Sequence, residues 1–395
     1  MTIWAEVPEG SDFPIENLPF GVVRPAGAPA RVVVRIGDHA LDLAAAGIAP
    51  ELTAQPTINS LMASGRGQEI RERAGELLSG NDRSDLLHSV DDMHVVVPIA
   101  VGDYVDFYSS LHHATNLGHI MRPGAEPLLA NWRHLPVGYH GRSGTVVVSG
   151  TPVARPEGLV PDPADGVPRL VPSRSLDFEL EVGFVVGGSP ASRIHPDDAD
   201  RHVFGVVLLN DWSARDVQGY EYQPLGPNLA KSFATSISPW VVTIDALRRY
   251  LVAPPVQDPQ PDPYLRATRP WAIDLNLTVE LNGWPITSTG FADMYWTFAQ
   301  QLAHTTVNGA TTRAGDLFGS GTVSGPTPGE RGSMIELTWR GAQPLTLGDG
   351  SLRSFLEDGD TVTMRGWCGG ETAARPRIGF GEVTGTVLPT PKRGA

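Results

Sequence analysis

At 395 residues with 41% hydrophobic content, the chain is long enough to bury a large core and too apolar to be disordered. A net charge of −14 and 30 scattered Lys and Arg exclude the basic stripe that a nucleic-acid backbone requires. A single cysteine, Cys368, excludes an intrachain disulfide and a thiolate zinc site.

In chain order, the opening MTIWAEVPEGSDFPIENLPF mixes acids with prolines where a secretory signal would be basic and then apolar. No stretch approaches the roughly 20 apolar residues of a membrane span. The expectation is a cytoplasmic protein with no membrane partner. Residues 31–36 and 39–43 read as short strands joined by a tight turn at Gly37-Asp38. Residues 58–79 have helical spacing broken at Gly65 and Gly67, and residues 82–97 return to loop and strand. This places a domain boundary near 97, with a small β domain over 1–97 and a larger one over 98–395. In the larger part, residues 146–149, 204–209, 239–244 and 272–281 predict strands, the last ending at an Asn282-Gly283 turn. Residues 256–263, rich in proline, read as a stiff extended connection. Phe291, Met294, Tyr295, Phe298 and Leu302 recur at helical spacing, predicting a helix over 291–305 capped by Ser288 or Thr289. The fold class is therefore mostly β, with few helices.

Chemistry concentrates in a few places. In LDFELEV, residues 176–182, acids alternate with apolar side chains, so Asp177, Glu179 and Glu181 share one face of an extended strand at spacings of about 7 Å. Like charges that close repel unless a cation lies between them. Asp211 arrives where the apolar residues 206–209 stop, and Asp106 lies just ahead of the pair His112-His113. Oxygen donors without cysteine or spaced histidines select calcium or magnesium. On residues alone, a cation site and ordinary surface acids stay level. Adjacent histidines diverge, so one of the pair faces a given site; helical spacing of seven from Asp106 would turn His113 toward the cation as a proton acceptor. Arg215 reads equally as an ion pair with Asp216, and Lys231 as a solvated loop charge. The run GSGTVSG at 319–325 lacks the lysine and spacing of a phosphate loop and reads as a turn-rich loop that lets backbone approach a ligand.

The segments DFYSSLHHATNLG, NWRHLPVGYHGR, LDFELEVGF, LLNDWSARDVQGYEYQPLGPNLAKSF, SISPWVV, MYWTFAQQLAHTTVNG and GSMIELTW occur in this order. Together they closely resemble the fumarylacetoacetase family, carbon-carbon hydrolases that end tyrosine degradation. The likeness runs from SDFPIENLPFGV to RIGFGEV, nearly the whole chain. It implies a small N-terminal β-barrel domain, a larger C-terminal β-sandwich or β-roll domain, a homodimer, and fumarylacetoacetate as substrate.

Carried over by position, the resemblance puts calcium on Asp106, Glu179, Glu181 and Asp211 and leaves out Asp177. It makes His113 the general base, oriented by Glu336, with Arg215, Gln218 and Lys231 around the developing negative charge. Substrate contacts fall on Tyr108, Arg122, Tyr139, Gln218, Tyr222 and Thr322. A second, structural cation, magnesium, falls near Asp211, Lys231 and Thr235. His112 stands where the family has glutamine, Leu111 where it has arginine, Tyr220 where it has tryptophan, and Ala230 and Ala234 where it has glycine. The implied reaction is metal-assisted attack by water on a β-dicarbonyl. The alternative is a related hydrolase or decarboxylase of another oxo acid, such as an acylpyruvate.

Overall fold

A computed structural model describes residues 3–392 apart from 26, 371 and 373. The first strands form an antiparallel five-stranded sheet in the order Leu87–Ser89, His39–Asp42, Arg31–Ile36, Phe20–Arg24, His94–Val95. It is an open, curled half of a barrel, filled by Leu61, Met62, Ile70, Ala74 and Leu78 packed against Val22, Val32, Val34 and Leu41. Those apolar side chains come from two helices, Asn59–Ser64 and Gly67–Leu78, separated where Gly65 takes a left-handed conformation (φ 69°) that ends the first.

The larger part is built on a mixed eight-stranded sheet. Its main path runs Gly138–His140, Tyr104–Phe107, Leu317–Gly319, Leu180–Val186, Val203–Asp211, Thr235–Ile237, Val146–Val148, and Val242–Thr243 also pairs with Val203–Asp211. The two central strands are apolar at nearly every position because both faces are covered. Val182, Phe184, Val206 and Leu208 enter the core shared with a second sheet, whereas Val185, Val207 and Leu209 meet the N-terminal module. That second sheet, of five strands, orders Trp284–Gly290, Leu275–Leu281, Thr361–Cys368, Ile378–Leu388, Val153–Ala154. The protein is thus mostly β, with a half-barrel followed by curled mixed sheets.

Three expected elements are redrawn. The helix placed over 291–305 begins only at Phe298, as Phe298–Thr306: Thr297 is its cap, in a reciprocal capping box with Gln300. Ser288 and Thr289 instead belong to strand Trp284–Gly290, whose ladder to Leu275–Leu281 claims their backbone groups. The strand expected over 239–244 shrinks to Val242–Thr243, because the Thr243 hydroxyl caps the turn Ile244–Leu247. The single strand expected over 272–281 is two, since Ala272–Ile273 pairs with Leu251–Val252 and Leu275–Leu281 with Thr361–Cys368. The Asn282-Gly283 turn has both residues at positive φ, as a two-residue hairpin demands.

Candidate active site

Three strands of the eight-stranded sheet converge on four acids. Asp106 comes from Tyr104–Phe107, Glu181 from Leu180–Val186, and Asp211 ends Val203–Asp211. Glu179 sits just ahead of Leu180, its carbonyl accepting the Asp211 N–H at 3.2 Å. Each of the four is buried and offers a carboxylate oxygen within 4.8 Å of the others. Gly319, on the strand between Asp106 and Glu181, makes the approach possible. A Cβ there would lie 2.8 Å from Asp106 Oδ1 and 2.9 Å from Glu181 Oε2. Gly321, at φ 78°, then donates its N–H to Glu181 Oε2 at 2.9 Å. The 319–325 run therefore brings backbone against the acids.

The electrostatics fit a hard divalent cation. Burial, then the neighbouring carboxylates, push Asp106 and Glu181 well above the usual carboxylate range, and burial raises Asp211 despite Lys231. Burial also acts on Glu179, but Lys231 and Arg215 outweigh it and hold that carboxyl far down. Asp106 Oδ1 and Glu181 Oε1 are buried without a hydrogen-bond donor among the described residues. Unsatisfied anionic oxygens gathered at one point, with no sulfur or imidazole among them, form a donor set suited to calcium or magnesium. Lys231 Nζ supplies one positive charge, donating to Glu179 Oε2 and Asp211 Oδ2 at 2.5 Å each. Thr235 Oγ1 donates to Asp211 Oδ1 at 3.4 Å from behind. Ala230 and Ala234, set by the resemblance at glycine positions, are buried without positive φ and so carry no backbone strain there.

A cavity of about 360 Å³ opens onto this cluster. Asp106, Tyr108, His113, Arg122, Tyr139, Glu179, Arg215, Gln218, Tyr222, Lys231 and Thr322 all line it. Glu181, Asp211, Thr235 and Glu336 stand behind that wall, and His112 does not line it. The Thr322 hydroxyl is buried without a hydrogen-bond partner among the described residues. Tyr139 donates to Asp211 Oδ2 at 3.4 Å, and Arg122 Nη2 to the Pro127 carbonyl at 2.6 Å.

His113 lies in the first turn of helix Leu111–Met121, which Ser110 caps by accepting the His113 N–H at 3.2 Å. Asp106, by contrast, lies on a strand, so the helical spacing of seven is not what aligns the two; the turn at Ser109-Ser110 between strand and helix does. The imidazole Nδ1 meets Glu336 Oε2 at 2.6 Å, and the Tyr108 ring stands edge-on to the imidazole at 5.3 Å. Glu336 is fully buried and also accepts from Asn116 Nδ2 (2.9 Å), Ser324 Oγ (3.0 Å) and Ser333 Oγ (2.7 Å). Burial would raise its pKa, but His113 and these donors together hold it below the usual glutamate range. A carboxylate fixed on Nδ1 leaves Nε2 as the nitrogen able to take a proton.

Arg215 pairs not with Asp216 but with Asp177 (2.7 Å) and Glu179 (2.7 Å), and it donates to Gln218 Oε1 at 3.0 Å. Asp216 is occupied by Ser173 and the Arg174 N–H. Asn116, Ser324 and Ser333 carry no signal in spacing, because they converge on Glu336 only through the fold. Leu117 and Met121 also line the cavity, four and eight positions after His113, and that helical periodicity was available in the sequence.

Two family models match the chain. One, described as fumarylacetoacetase N-terminal, matches residues 16–107, and the other, described as fumarylacetoacetate hydrolase C-terminal, matches 104–388. A fumarylacetoacetase of Caenorhabditis elegans is 47% identical over 419 residues, covering 98% of this chain and 99% of that protein. The human fumarylacetoacetase is 46% identical, covering 97% of this chain and 98% of that one. Among solved structures, a fumarylacetoacetate hydrolase from Exiguobacterium antarcticum superposes with a TM-score of 0.57 at 17% identity, covering 94% of this chain and 99% of that one. A putative HpcE protein from Mycobacterium smegmatis gives 0.58 at 19%, with the same coverage; both show the fold alone. The full-length identity shows that the chain belongs to the fumarylacetoacetate hydrolase family.

Proposed function

We propose that this protein hydrolyses the carbon-carbon bond of fumarylacetoacetate, giving fumarate and acetoacetate as a step of tyrosine catabolism. The observation that carries the reading is the His113–Glu336 pair at 2.6 Å, facing the four-carboxylate cluster across one cavity in a chain alike end to end with fumarylacetoacetases. Calcium is the cation we assign to Asp106, Glu179, Glu181 and Asp211, with magnesium as a structural ion near Asp211, Lys231 and Thr235. Held by the four acids, such an ion would supply Lewis-acid charge for gripping two carbonyl oxygens and stabilising the electrons released on cleavage.

The side chains do the rest. Glu336 fixes the imidazole tautomer with its proton on Nδ1, and Nε2 removes a proton from water. The hydroxide formed bonds to the carbonyl carbon of the fumaryl arm. The carbon-carbon bond beside it then breaks, and its electron pair passes to the enolate of the departing acetoacetate. Arg215, Gln218 and Lys231 offer positive charge or hydrogen bonds to the negative charge as it moves. The imidazolium returns its proton to the enolate carbon. Tyr108, Arg122, Tyr139, Tyr222 and Thr322 hold the substrate in the cavity.

The unit boundary near residue 97, the cytoplasmic setting and the homodimer belong to the same proposal. Leu159, Val167 and Leu170, about half exposed around a hairpin formed by Glu157–Pro161 and Pro168–Pro172, offer apolar surface for self-association. The experiment is direct: mixing the protein with fumarylacetoacetate should bleach the substrate absorbance, and a chelator should stop it. Steady absorbance with calcium present would refute the assignment.

A further inference from the structure

Asp177 belongs to the alternating acidic run yet stands outside the cation cluster, and it is wholly buried. Both of its oxygens are in use. Oδ1 accepts the Met334 N–H at 2.6 Å, while Oδ2 accepts the Ile335 N–H at 3.1 Å and Arg215 Nε at 2.7 Å. Met334 and Ile335 open the turn Met334–Leu337, which carries Glu336. The residue before such a turn ordinarily caps those N–H groups with its own side chain. Here it is Ser333, and its hydroxyl donates instead to Glu336 Oε2, leaving the turn without a local cap. The missing acceptor comes from Asp177, 157 residues away in sequence. On the other side, the guanidinium that Asp177 holds reaches Glu179 Oε1 at 2.7 Å and Gln218 Oε1 at 3.0 Å.

We propose that Asp177 is a positioning residue for the reaction, a single carboxylate that locks the Glu336 turn, and through it the His113 imidazole, in register with the Arg215 guanidinium. The inference rests on the roles given above to His113, Glu336 and Arg215. It requires a carboxylate in particular, because three donors converge on two oxygens. Asparagine would offer one acceptor oxygen and an NH₂ facing a donor, so either the turn or the arginine must lose its anchor. Asp177 neither lines the cavity itself nor belongs to the cluster, so its effect must pass through Arg215 and the Met334–Leu337 turn.

The test is Asp177→Asn in the full-length protein with calcium bound. Losing one buried charge-assisted contact should lower kcat about 10- to 100-fold while KM and calcium affinity stay close to the parent values. The low-field proton resonance expected of the short Nδ1–H bond to Glu336 should broaden or vanish. Combined with Glu336→Gln, the substitution should add little to the loss caused by Glu336→Gln alone, since both act on one unit. Unchanged kcat, losses that multiply in the double variant, or calcium affinity falling with activity would each overturn the proposal, the last by making Asp177 a ligand. Should Asp177→Asn not fold, Asp177→Ser takes its place. Failure of both to fold with calcium present would assign Asp177 to the fold and overturn the proposal as well. A parent protein that leaves fumarylacetoacetate intact would sink the functional reading instead, and the resonance would still report whether Asp177 holds the His113–Glu336 pair.

Discussion

The His113–Glu336 pair is held in place by hydrogen bonds that other side chains make to it. His113 donates Nδ1–H to a glutamate that three further donors hold, so its ring plane and tautomer are set before substrate arrives. Replacing it with alanine should lower turnover by about 100- to 10,000-fold, the usual worth of a general base. Calcium binding, followed by calorimetry, should survive, since His113 lies outside the carboxylate cluster. Alternation and strand ends in the sequence point to Asp106, Glu179, Glu181 and Asp211, which the fold brings together, whereas the helical spacing that singles out His113 from the doubled histidine does not hold, because Asp106 lies on a strand. The sequence could not separate Asp177 from Glu179 and Glu181, because alternation puts all three on one face of a single strand; the run instead divides into Leu176–Asp177, paired with Ser213–Ala214, and Leu180–Val186, and the Met334 turn and Arg215 claim Asp177.

At the level of elements, the strand Leu317–Gly319 and its loop decide whether the acids can meet. It lies between the strands of Asp106 and Glu181 and has no side chain where their oxygens come together. Gly319→Ala should therefore weaken calcium binding at least about tenfold, the effect of losing one well-made ligand contact or its geometry. Titration calorimetry reads this directly, and native affinity would show that the strands yield. Legibility followed local physics. The tight turn at Gly37-Asp38 and the hairpin at Asn282-Gly283 lie where their residues demand, and the helix break at Gly65 is a left-handed cap. Periodicity extends the helix back to 291 because Phe291, Met294 and Tyr295 are buried from turns and imitate a helix that begins only after its cap, Thr297.

Over the whole molecule, a sheet covered on both faces places a concentrated negative charge between two apolar cores. Asp106, Glu181 and Asp211 bind protons more tightly folded than unfolded. Their raised carboxyls leave stability intact below the ordinary carboxylate range and remove it as pH climbs toward the raised values. Calcium bound as proposed would replace those protons, so the rise in Tm on adding calcium to chelated protein should be larger at pH 8 than at pH 5, as scanning calorimetry would record. An equal rise at both would mean the acids are relieved some other way. No helix among the described residues is long and apolar enough to cross a membrane. The stacking of sheets and the N-terminal module was beyond periodicity, since strands apolar on both faces do not say which neighbour covers which side.

The helix Leu111–Met121 presents His113, Leu117 and Met121 along one side of the same cavity. A bulkier guest that pushes Leu117 and Met121 outward should also tilt the ring of His113, the base proposed above, and stretch its tether to Glu336. Misfit at the greasy end would thereby be felt as slow chemistry, and an oversized diketone should be retained and still escape uncut.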